Sequence, residues 1–489
     1  MSDEKPAAKD PEATEDGPQE SEPEPAPQAK AAAPSGTERI KAWLTPETRS
    51  RRILIGLGIY AAVVLVFGIV AGERMWTHTS YNHFAHLADA WLHGRQDIVH
   101  GGPAYAGGND FADFHGKTYI SFPPLPAFLM LPLVAIAGSP EDFRDGQFVV
   151  WLAGVGPAFL FLALEKLRRT GRSERTETEN VLLALVFAFG TVFFFTAVQG
   201  TVWFAGHVVG VGLLCAYLLV ALDAEHPLIA GALIGCAFLT RPTSSYAALL
   251  FGLEAVRVCC KNMPTEGSFF ARVDAVVRRI DKPAFFRRMT LFAVPVLIGL
   301  GLASYTNYTR FGTMNPTAFG HEHLTVQWHG RIEKWGLFGL HYLPKNLGCM
   351  LTILPWPRAH GAEGEAPFRI NEHGLALWFT TPLYLWLLRP KKTGFLHGAL
   401  LASAVLPLMQ NLLYQNSGWQ QFGYRFSNDY APLLFLLLAV GARPMGNAWK
   451  VAAIWAIGWN TFGALSFGRA NFERYYFREG SQTVIYQPD

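Results

Sequence analysis

Runs of apolar residues separated by short polar stretches occupy most of the chain between residues 53 and 467. A helix needs about 17 to 25 predominantly apolar residues to cross the hydrocarbon core of a bilayer. Because many of the runs approach or reach this length, the pattern predicts an all-α integral membrane protein with about 11 transmembrane helices in residues 51–470. The predicted crossings are residues 53–72, 147–165, 180–198, 202–222, 228–240, 243–257, 290–306, 374–388, 395–414, 430–442 and 448–467.

Lysine and arginine residues near the ends of these runs predict the orientation of the chain, since cytoplasmic loops carry an excess of both. Basic clusters precede the first run and occupy residues 166–175, 257–288 and 389–392. Assigning these clusters to the cytoplasm puts the N-terminus there as well. The segments left outside are a first external loop at 73–146, a second at 307–371, a shorter one at 415–429 and an external C-terminal tail at 471–489.

The run at residues 122–138 is apolar but contains four prolines within 17 residues. If it crossed the bilayer, the basic loop at 166–175 would lie outside, against the charge rule. We therefore interpret it as an interfacial or re-entrant segment. Residues 73–146 then form one continuous external loop, which carries juxtamembrane helices in the plane of the membrane.

Residues 1–50 form a tail of different composition. The first 38 residues are rich in proline, alanine and glutamate, which predicts a disordered, acidic cytoplasmic segment. Over the whole chain only 16% of residues are charged and the net charge is +3, which is too small to indicate nucleic-acid binding. The five cysteines show neither metal-binding spacing nor a disulfide framework.

The first external loop opens with an amphipathic pattern at residues 81–95. Apolar residues from Phe84 to Leu92 recur at helical spacing and predict a helix lying in the plane of the interface. Asp89 projects from the opposite face. It is a candidate general base or a carboxylate that orients one, and the alternative is a solvated polar face.

Further along this loop, residues 109–124 alternate aromatic and polar side chains around a glycine. Asp110 is a candidate general base because carboxylates at the membrane surface can accept a proton from a reacting hydroxyl group. The alternative is that it braces the loop. Asp113 is a less favoured base or a supporting residue. Lys117 is a candidate contact for a lipid phosphate, or a side chain that extends along apolar surface to reach water.

Two arginines next to apolar runs are candidate anion-binding residues. Arg241 interrupts the run 228–257, and a charge so close to lipid usually faces a cavity or a partner. The alternative is a turn with a side chain that reaches for water. Arg425 has the planar donor geometry that suits phosphate oxygens, and the alternative is an ion pair with Asp429 that braces the loop. Tyr424 and Asp429 are expected to support this loop or contact an acceptor.

The second external loop carries His321 and His323 on either side of an acid. No further ligands follow at a spacing typical of a metal site. No metal is expected.

Several short stretches occur in a characteristic order. After the first crossing and the in-plane helix come NDFADFHGKTY and FPPLP, and later LTRPT, YTNYTRFG and YRFSNDYAPLL. This layout, over residues 50–470, resembles the GT-C superfamily of membrane glycosyltransferases, which includes the protein O-mannosyltransferase and aminoarabinose transferase types.

The resemblance implies transfer of a sugar, with inversion, from a polyprenyl-phosphate carrier to an envelope glycan, lipid or protein outside the cytoplasm. A carboxylate of the first loop acts as the base and basic side chains hold the lipid phosphate. Many members carry that carboxylate at the start of the in-plane helix, where residues 79–83 of this chain have none. Asp110 and Asp89 are therefore the candidate bases, and Arg241 and Arg425 match the phosphate-binding stretches.

No cofactor is expected beyond the lipid-linked sugar donor. The expected partners are this donor, membrane lipid and envelope-biosynthesis proteins, but no nucleic acid, and the expected location is a bacterial inner membrane. Two other functions remain open: a lipid or glycan flippase or transporter, and a catalytically inactive scaffold for envelope assembly. The apolar runs show no internal repeat and almost no acids, which argues against ion-coupled transport.

Overall fold

The computed structural model describes residue 45 and residues 48–99, 101–108, 110–324, 329–358 and 365–476. Almost all of the predicted N-terminal tail, 1–50, lies outside the described residues. Residues 477–489 of the predicted C-terminal tail lie outside them as well. The elements given below therefore belong mainly to the predicted membrane domain.

Helices dominate the described chain, as the apolar runs predict. In chain order they are α1 Arg49–Ala71, α2 His83–Leu92, α3 Leu125–Ala137, α4 Asp145–Ala153, α5 Val155–Arg169, α6 Glu177–Phe189, α7 Phe193–Ala197, α8 Val202–Ala221, α9 Pro227–Phe238, α10 Ala248–Cys259, α11 Phe269–Arg279, α12 Lys282–Phe311, α13 His329–Trp335, α14 Leu343–Leu351, α15 Leu377–Thr380, α16 Phe395–Leu413, α17 Ala431–Val440 and α18 Asn447–Ser466.

Within the described residues, five helical segments are long and apolar enough to cross a membrane. Three shorter apolar helices, α3, α9 and α17, accompany them. The prediction of a helical chain with several membrane-length apolar segments is thus confirmed, whereas the count of eleven crossings is not. The five segments are Arg49–Met75, Asp145–Arg169, Val202–Ala224, Lys282–Phe311 and Phe395–Leu413.

Several runs predicted as single crossings are broken into shorter elements. The run 180–198 divides into α6 and α7, and Gly190 at the break packs closely against Ala456 of α18. The runs 243–257 and 374–388 contain 3-10 turns at Pro242–Ala247 and Pro382–Leu388. Proline lacks a backbone N–H and disfavours helical geometry in the residue before it, so each of these two 3-10 turns starts at its proline.

Glycines bring α9 and α12 into close contact. A Cβ atom on Gly231 would lie 2.1 Å from the carbonyl oxygen of Phe292, and Gly235 faces Gly299. Small residues allow helix backbones to approach closely in apolar surroundings, where packing rather than the hydrophobic effect stabilises the pair.

Helix α8 connects two chemically different ends of the molecule. Most of its side chains are buried, and it packs against α5 and α9. Beyond its C-terminal end, Asp223 joins an ionic cluster in which Arg172 binds both Asp223, at 3.0 Å, and the buried Glu254, at 2.6 Å. Arg257 binds Glu254 at 3.0 Å in the same cluster.

Residues 73–146, predicted to be the first external loop, contain α2, α3 and a β-hairpin. The apolar face predicted for residues 81–95 appears in α2, whose Phe84 and Leu87 are buried, and α2 packs against α3. At 13 residues with an internal proline, α3 is short for a crossing. Strands β1 Phe111–Phe114 and β2 Lys117–Ile120 pair antiparallel.

A two-residue turn closes this hairpin. His115 and Gly116 both have positive φ, 50° and 74°, as a type I′ turn requires, which accounts for the glycine. The Arg310 guanidinium on α12 donates to the Ile120 carbonyl at 3.3 Å and fixes the hairpin to a membrane-length helix. A second small sheet joins β3 Trp356–Pro357 to β4 Phe368–Arg369.

Candidate functional site

A cavity of about 910 Å³ opens where the segment between α1 and α4, the start of α8 and the segments following α9 and α16 meet. Pockets of 300–1,000 Å³ are typical for small-molecule ligands. Three residues proposed from the sequence, Asp110, Arg241 and Arg425, line it together. Further polar side chains on its walls include Arg74, His78, Gln199, His207, Asn411 and Gln415.

The carboxylate of Asp110 is held at the entrance to the β-hairpin. Its backbone has a φ of 59°, and its carbonyl accepts a hydrogen bond from the Ser121 hydroxyl at 2.8 Å. The Trp203 indole N–H at the start of α8 donates to the Oδ2 atom at 2.5 Å. Burial raises the pKa of Asp110 to about 6, against the Trp203 hydrogen bond and the charge of Arg425, which lower it. A carboxylate of this pKa is mostly ionised at neutral pH and is suited to accept a proton.

Arg425 carries a charge with no carboxylate within ion-pair distance among the described residues. Its guanidinium lies 5.0 Å from the Phe204 ring centroid and 5.7 Å from that of Phe426, and it donates to the Gln420 carbonyl at 3.4 Å. Its buried Nε atom has no hydrogen-bond partner. Burial, together with the charge of Arg241, lowers the pKa of Arg425 to about 9, so it stays protonated at neutral pH. Such a cation on a cavity wall is suited to an anionic ligand.

Arg241 is paired with Asp429. Its Nε atom donates to Oδ1 at 3.0 Å and an Nη atom donates to Oδ2 at 2.6 Å. Asn411 also donates to this carboxylate, at 3.1 Å. Burial would raise the pKa of Asp429, but the charges and hydrogen bonds of Arg241 and His207 outweigh it and hold that pKa well below its usual range.

This pairing corrects one alternative from the sequence. Asp429 binds Arg241, 188 positions away, rather than Arg425. Asp429 follows Arg425 by four positions, but the 3-10 turn Arg425–Asp429 does not direct their side chains at each other. Spacing along the chain therefore gave the wrong partner, and the carboxylate neutralises the arginine of a distant segment.

Tyr424 lies behind the cavity wall. Its ring is fully buried and packs edge-on against Phe426 at 6.0 Å between centroids. Phe426 in turn contacts the guanidinium groups of both Arg241 and Arg425. Tyr424 therefore supports the aromatic ring between the two arginines and does not itself line the described cavity wall.

Asp89 is not among the described lining residues of the cavity. It lies on α2, where its carboxylate is 3.4 Å from the Nδ1 atom of His93 one turn later. This contact lies on the polar face of the helix, which is the arrangement of the alternative interpretation.

Asp113 and Lys117 lie on the hairpin away from the cavity lining. The Asp113 carboxylate accepts a hydrogen bond from the Thr118 hydroxyl at 2.7 Å, across the two strands. The Lys117 ammonium is 3.5 Å from the Asp97 carboxylate. Of the hairpin residues singled out from the sequence, Asp110 alone faces the cavity within the described residues.

Two further lining residues, Trp203 and His207, were not singled out from the sequence. Trp203 binds Asp110, and the His207 Nδ1 atom lies 3.4 Å from Asp429. Both belong to α8, one turn apart, inside an apolar run. An ionisable side chain within an apolar run indicates a functional position. His207 could have been identified from the sequence on this ground.

Metal coordination is not indicated by the described residues. They contain no group of three or more His, Cys, Asp or Glu side chains placed to hold an ion. His321 lines the cavity, and its Nδ1 atom donates to the Ala318 carbonyl at 3.0 Å.

No known family model matches the sequence, and no curated protein matches it. Among solved structures, the Archaeoglobus fulgidus oligosaccharyltransferase in the apo form has a TM-score of 0.41 and 13% identity, with 87% of this chain and 59% of that chain covered. The same archaeal enzyme, AglB, in complex with an inhibitory peptide and a dolichol-phosphate gives 0.41 and 13%, with 85% and 56% covered.

A third structure, of the enzyme tethered to an acceptor peptide containing the NVT sequon, gives a TM-score of 0.41 and 14% identity, with 83% of this chain and 55% of that chain covered. The chain therefore spans somewhat more than half the length of these proteins. Similarity at this level assigns neither a fold nor an activity to this chain.

Proposed function

We propose that this protein is a membrane glycosyltransferase that moves a sugar from a polyprenyl-phosphate carrier to an acceptor. Asp110 is the general base, Arg425 is the main phosphate contact, and Arg241, whose charge is balanced by Asp429, is a secondary phosphate contact. The acceptor is an envelope glycan, lipid or protein.

One observation carries this proposal. Asp110, Arg241 and Arg425 come from three stretches separated by more than a hundred residues, and all three line one cavity. A partly buried acid with a raised pKa and an unpaired arginine on the same wall provide a proton acceptor next to an anion site. Groups with perturbed pKa values in a cleft are typical of active sites.

The chemistry assigned to these groups is a single displacement at the anomeric carbon. The acceptor oxygen forms a bond to C1 of the sugar on the face opposite the phosphate, and the bond from C1 to the phosphate oxygen breaks. The proton of the acceptor hydroxyl passes to the Asp110 carboxylate. The negative charge ends on the lipid phosphate, where Arg425 stabilises it through charge-assisted hydrogen bonds.

Helix α8 supports an orientation with the cavity outside the cytoplasm. It begins at the cavity with Trp203 and ends at the ionic cluster of Asp223, 20 helical residues later. That length is about 30 Å, the thickness of the hydrocarbon core. Arg172 and Arg257 at the far end belong to basic loops of the kind found in the cytoplasm. We therefore propose a bacterial inner membrane, with the N-terminus in the cytoplasm.

The test is sugar release from radiolabelled polyprenyl-phosphate sugars by the full-length protein in liposomes. The Asp110→Asn variant is expected to lose between about a hundredfold and ten-thousandfold in rate, because the amide cannot accept the proton. Asp113→Asn is the matched control, since it makes the same change three residues along the hairpin on a side chain that binds Thr118.

Asp89→Asn tests the competing base. If Asp89→Asn abolished release while Asp110→Asn left it intact, the assignment of the base would be wrong. Absence of release with every donor tried, from a protein that still binds the lipid, would refute the transferase and favour the flippase or the scaffold.

A further inference from the structure

The cytoplasmic-side segment between α10 and α12 leaves the helical bundle and returns to it at one point. The Asp281 N–H donates to the Cys259 carbonyl at 2.8 Å, and Cys260 and Ile280 form an antiparallel bridge. Arg279 also donates to the Asn262 carbonyl at 3.1 Å. The 20 or so residues in between, which include α11, are therefore held at the ends of two helices that pack in the bundle.

Helix α11 is strongly amphipathic. At 100° per residue its apolar side chains fall within an arc of about 120°. Two arginines, Arg272 and Arg279, lie together along one edge of this arc, seven positions apart. A third, Arg278, lies beyond the other end of the arc, about 100° around the helix from Arg279, where it forms an ion pair with Asp274 at 2.8 Å. The apolar side chains are Phe269, Phe270, Val273, Val276 and Val277.

The apolar face of α11 is not covered by the described part of the chain. None of the residues of the helix is buried, and Phe269 and Phe270 are 66% and 81% exposed. A soluble protein rarely leaves two adjacent phenylalanines in water. The face needs an apolar neighbour from outside the described fold.

Neighbouring exposed side chains indicate what this neighbour is. Immediately after α11, Phe286 near the start of α12 is 62% exposed, and further exposed apolar residues follow along the same helix, which is long enough to cross a bilayer. Helix α11 is thus followed directly along the chain by a helix whose exposed apolar side chains are suited to contact with hydrocarbon. Arg287, which follows Phe286, is exposed as well and adds to the positive charge at this level.

We propose that α11 lies in the interface of the membrane, with its phenylalanines in the acyl region and with Arg272 and Arg279 bound to anionic phospholipid head groups. A helix with one apolar face and arginines at its edge is suited to this position. Clusters of basic residues are attracted to anionic lipid, by about fivefold in affinity per residue. This inference does not depend on the glycosyltransferase activity.

The test is amide hydrogen–deuterium exchange of the full-length protein in nanodiscs, followed in peptides that cover residues 266–281. Nanodiscs of phosphatidylcholine are compared with nanodiscs that also contain phosphatidylglycerol. Adding phosphatidylglycerol is expected to slow the exchange of α11. In the double variant Arg272→Ala/Arg279→Ala this response is expected to fall by about fivefold for each arginine removed.

Arg278→Ala is the matched control, because it removes an arginine from the other side of the helix, where Asp274 already balances its charge, and should keep the response. Peptides from α12 serve as the reference for correct folding, and their exchange should not change in any variant. Equal exchange in the two lipid compositions, or an equal effect of Arg278→Ala, would overturn the proposal. Protection that depends on protein concentration and not on lipid would assign the face to a second copy of the chain and would also overturn it.

Discussion

The hydrogen bond from Trp203 to Asp110 gives a prediction about the pH dependence of catalysis. In the Trp203→Phe variant the carboxylate loses the indole N–H, 2.5 Å away, while an aromatic ring remains. A hydrogen bond to a charged group contributes about 1.5–3 kcal/mol. At 1.36 kcal/mol for each pH unit, its loss is expected to raise the pKa of Asp110 from about 6 to between about 7 and 8.

The direction of the change in rate follows from the role of Asp110, which accepts a proton only when it is ionised. At pH 7 a carboxylate with a pKa of about 6 is roughly nine-tenths ionised, and one with a pKa between 7 and 8 is ionised by between roughly a half and a tenth. The rate of sugar release at pH 7 is therefore expected to fall by about twofold to tenfold in Trp203→Phe. The ratio of the variant rate to the wild-type rate should recover almost fully near pH 9, where Asp110 is ionised in both proteins; Arg425, with a pKa of about 9, loses charge equally in both and does not change this ratio.

The assay is the initial rate of sugar release in liposomes between pH 5 and pH 9, for wild type and variant. In the wild type the rate should fall about tenfold between pH 7 and pH 5, as Asp110 becomes protonated. Trp419→Phe is the matched control, because Trp419 lines the same cavity without a hydrogen bond to Asp110. A loss in Trp203→Phe that is equal at all pH values would refute the reasoning, since it would mean that Trp203 acts on geometry and not on the charge of the base.

Three further predictions concern the cavity wall and the helix packing. Asp429→Asn removes the carboxylate that neutralises Arg241, and we expect it to lower the free energy of unfolding by about 3 kcal/mol, measured as a lower melting temperature in detergent. The double variant Asp429→Asn/Arg241→Gln should regain part of this stability. Equal melting temperatures of the wild type, the single variant and the double variant would contradict this. Arg425→Lys keeps the charge but loses the planar donor pair, so the affinity for a polyprenyl phosphate should fall by about tenfold to a hundredfold in native mass spectrometry; unchanged affinity would show that Arg425 is not the contact. Gly231→Ala should destabilise the protein by about 1–3 kcal/mol, because a methyl group would overlap a backbone carbonyl of α12. The control Gly252→Ala, where a methyl group meets nothing within 4 Å, should stabilise it by about 0.5–1 kcal/mol, and a similar loss in both would rule out the packing argument.

The sequence predicted the helical character and the main candidate residues because these depend on local signals. Apolar length gave the long helices, and helical spacing gave α2 to within three residues at either end. Their charges next to apolar runs identified Arg241 and Arg425 as candidate anion-binding residues. Such residues are costly near lipid and are kept where they have a partner or a ligand.

The remaining features depend on contacts between distant residues. That Asp110 and not Asp89 faces the cavity follows from the packing of the hairpin against α8, which no spacing reveals. The pairing of Arg241 with Asp429 joins residues 188 positions apart. Breaks such as the one between α6 and α7 arise where glycine permits close packing against another helix. Hydropathy alone does not detect such a break and predicts one continuous helix.

The segment that carries α11 begins and ends at the same place in the fold, and this has a consequence for protein engineering. The backbone contacts that join the ends of α10 and α12 are made by Cys259, Cys260, Ile280 and Asp281, outside residues 263–278. Exposed sites with adjacent ends are the places where proteins best accept an inserted domain. A rigid soluble domain inserted in place of residues 263–278 would be attached to the protein at both of its ends. It would serve as an alignment marker for electron cryo-microscopy.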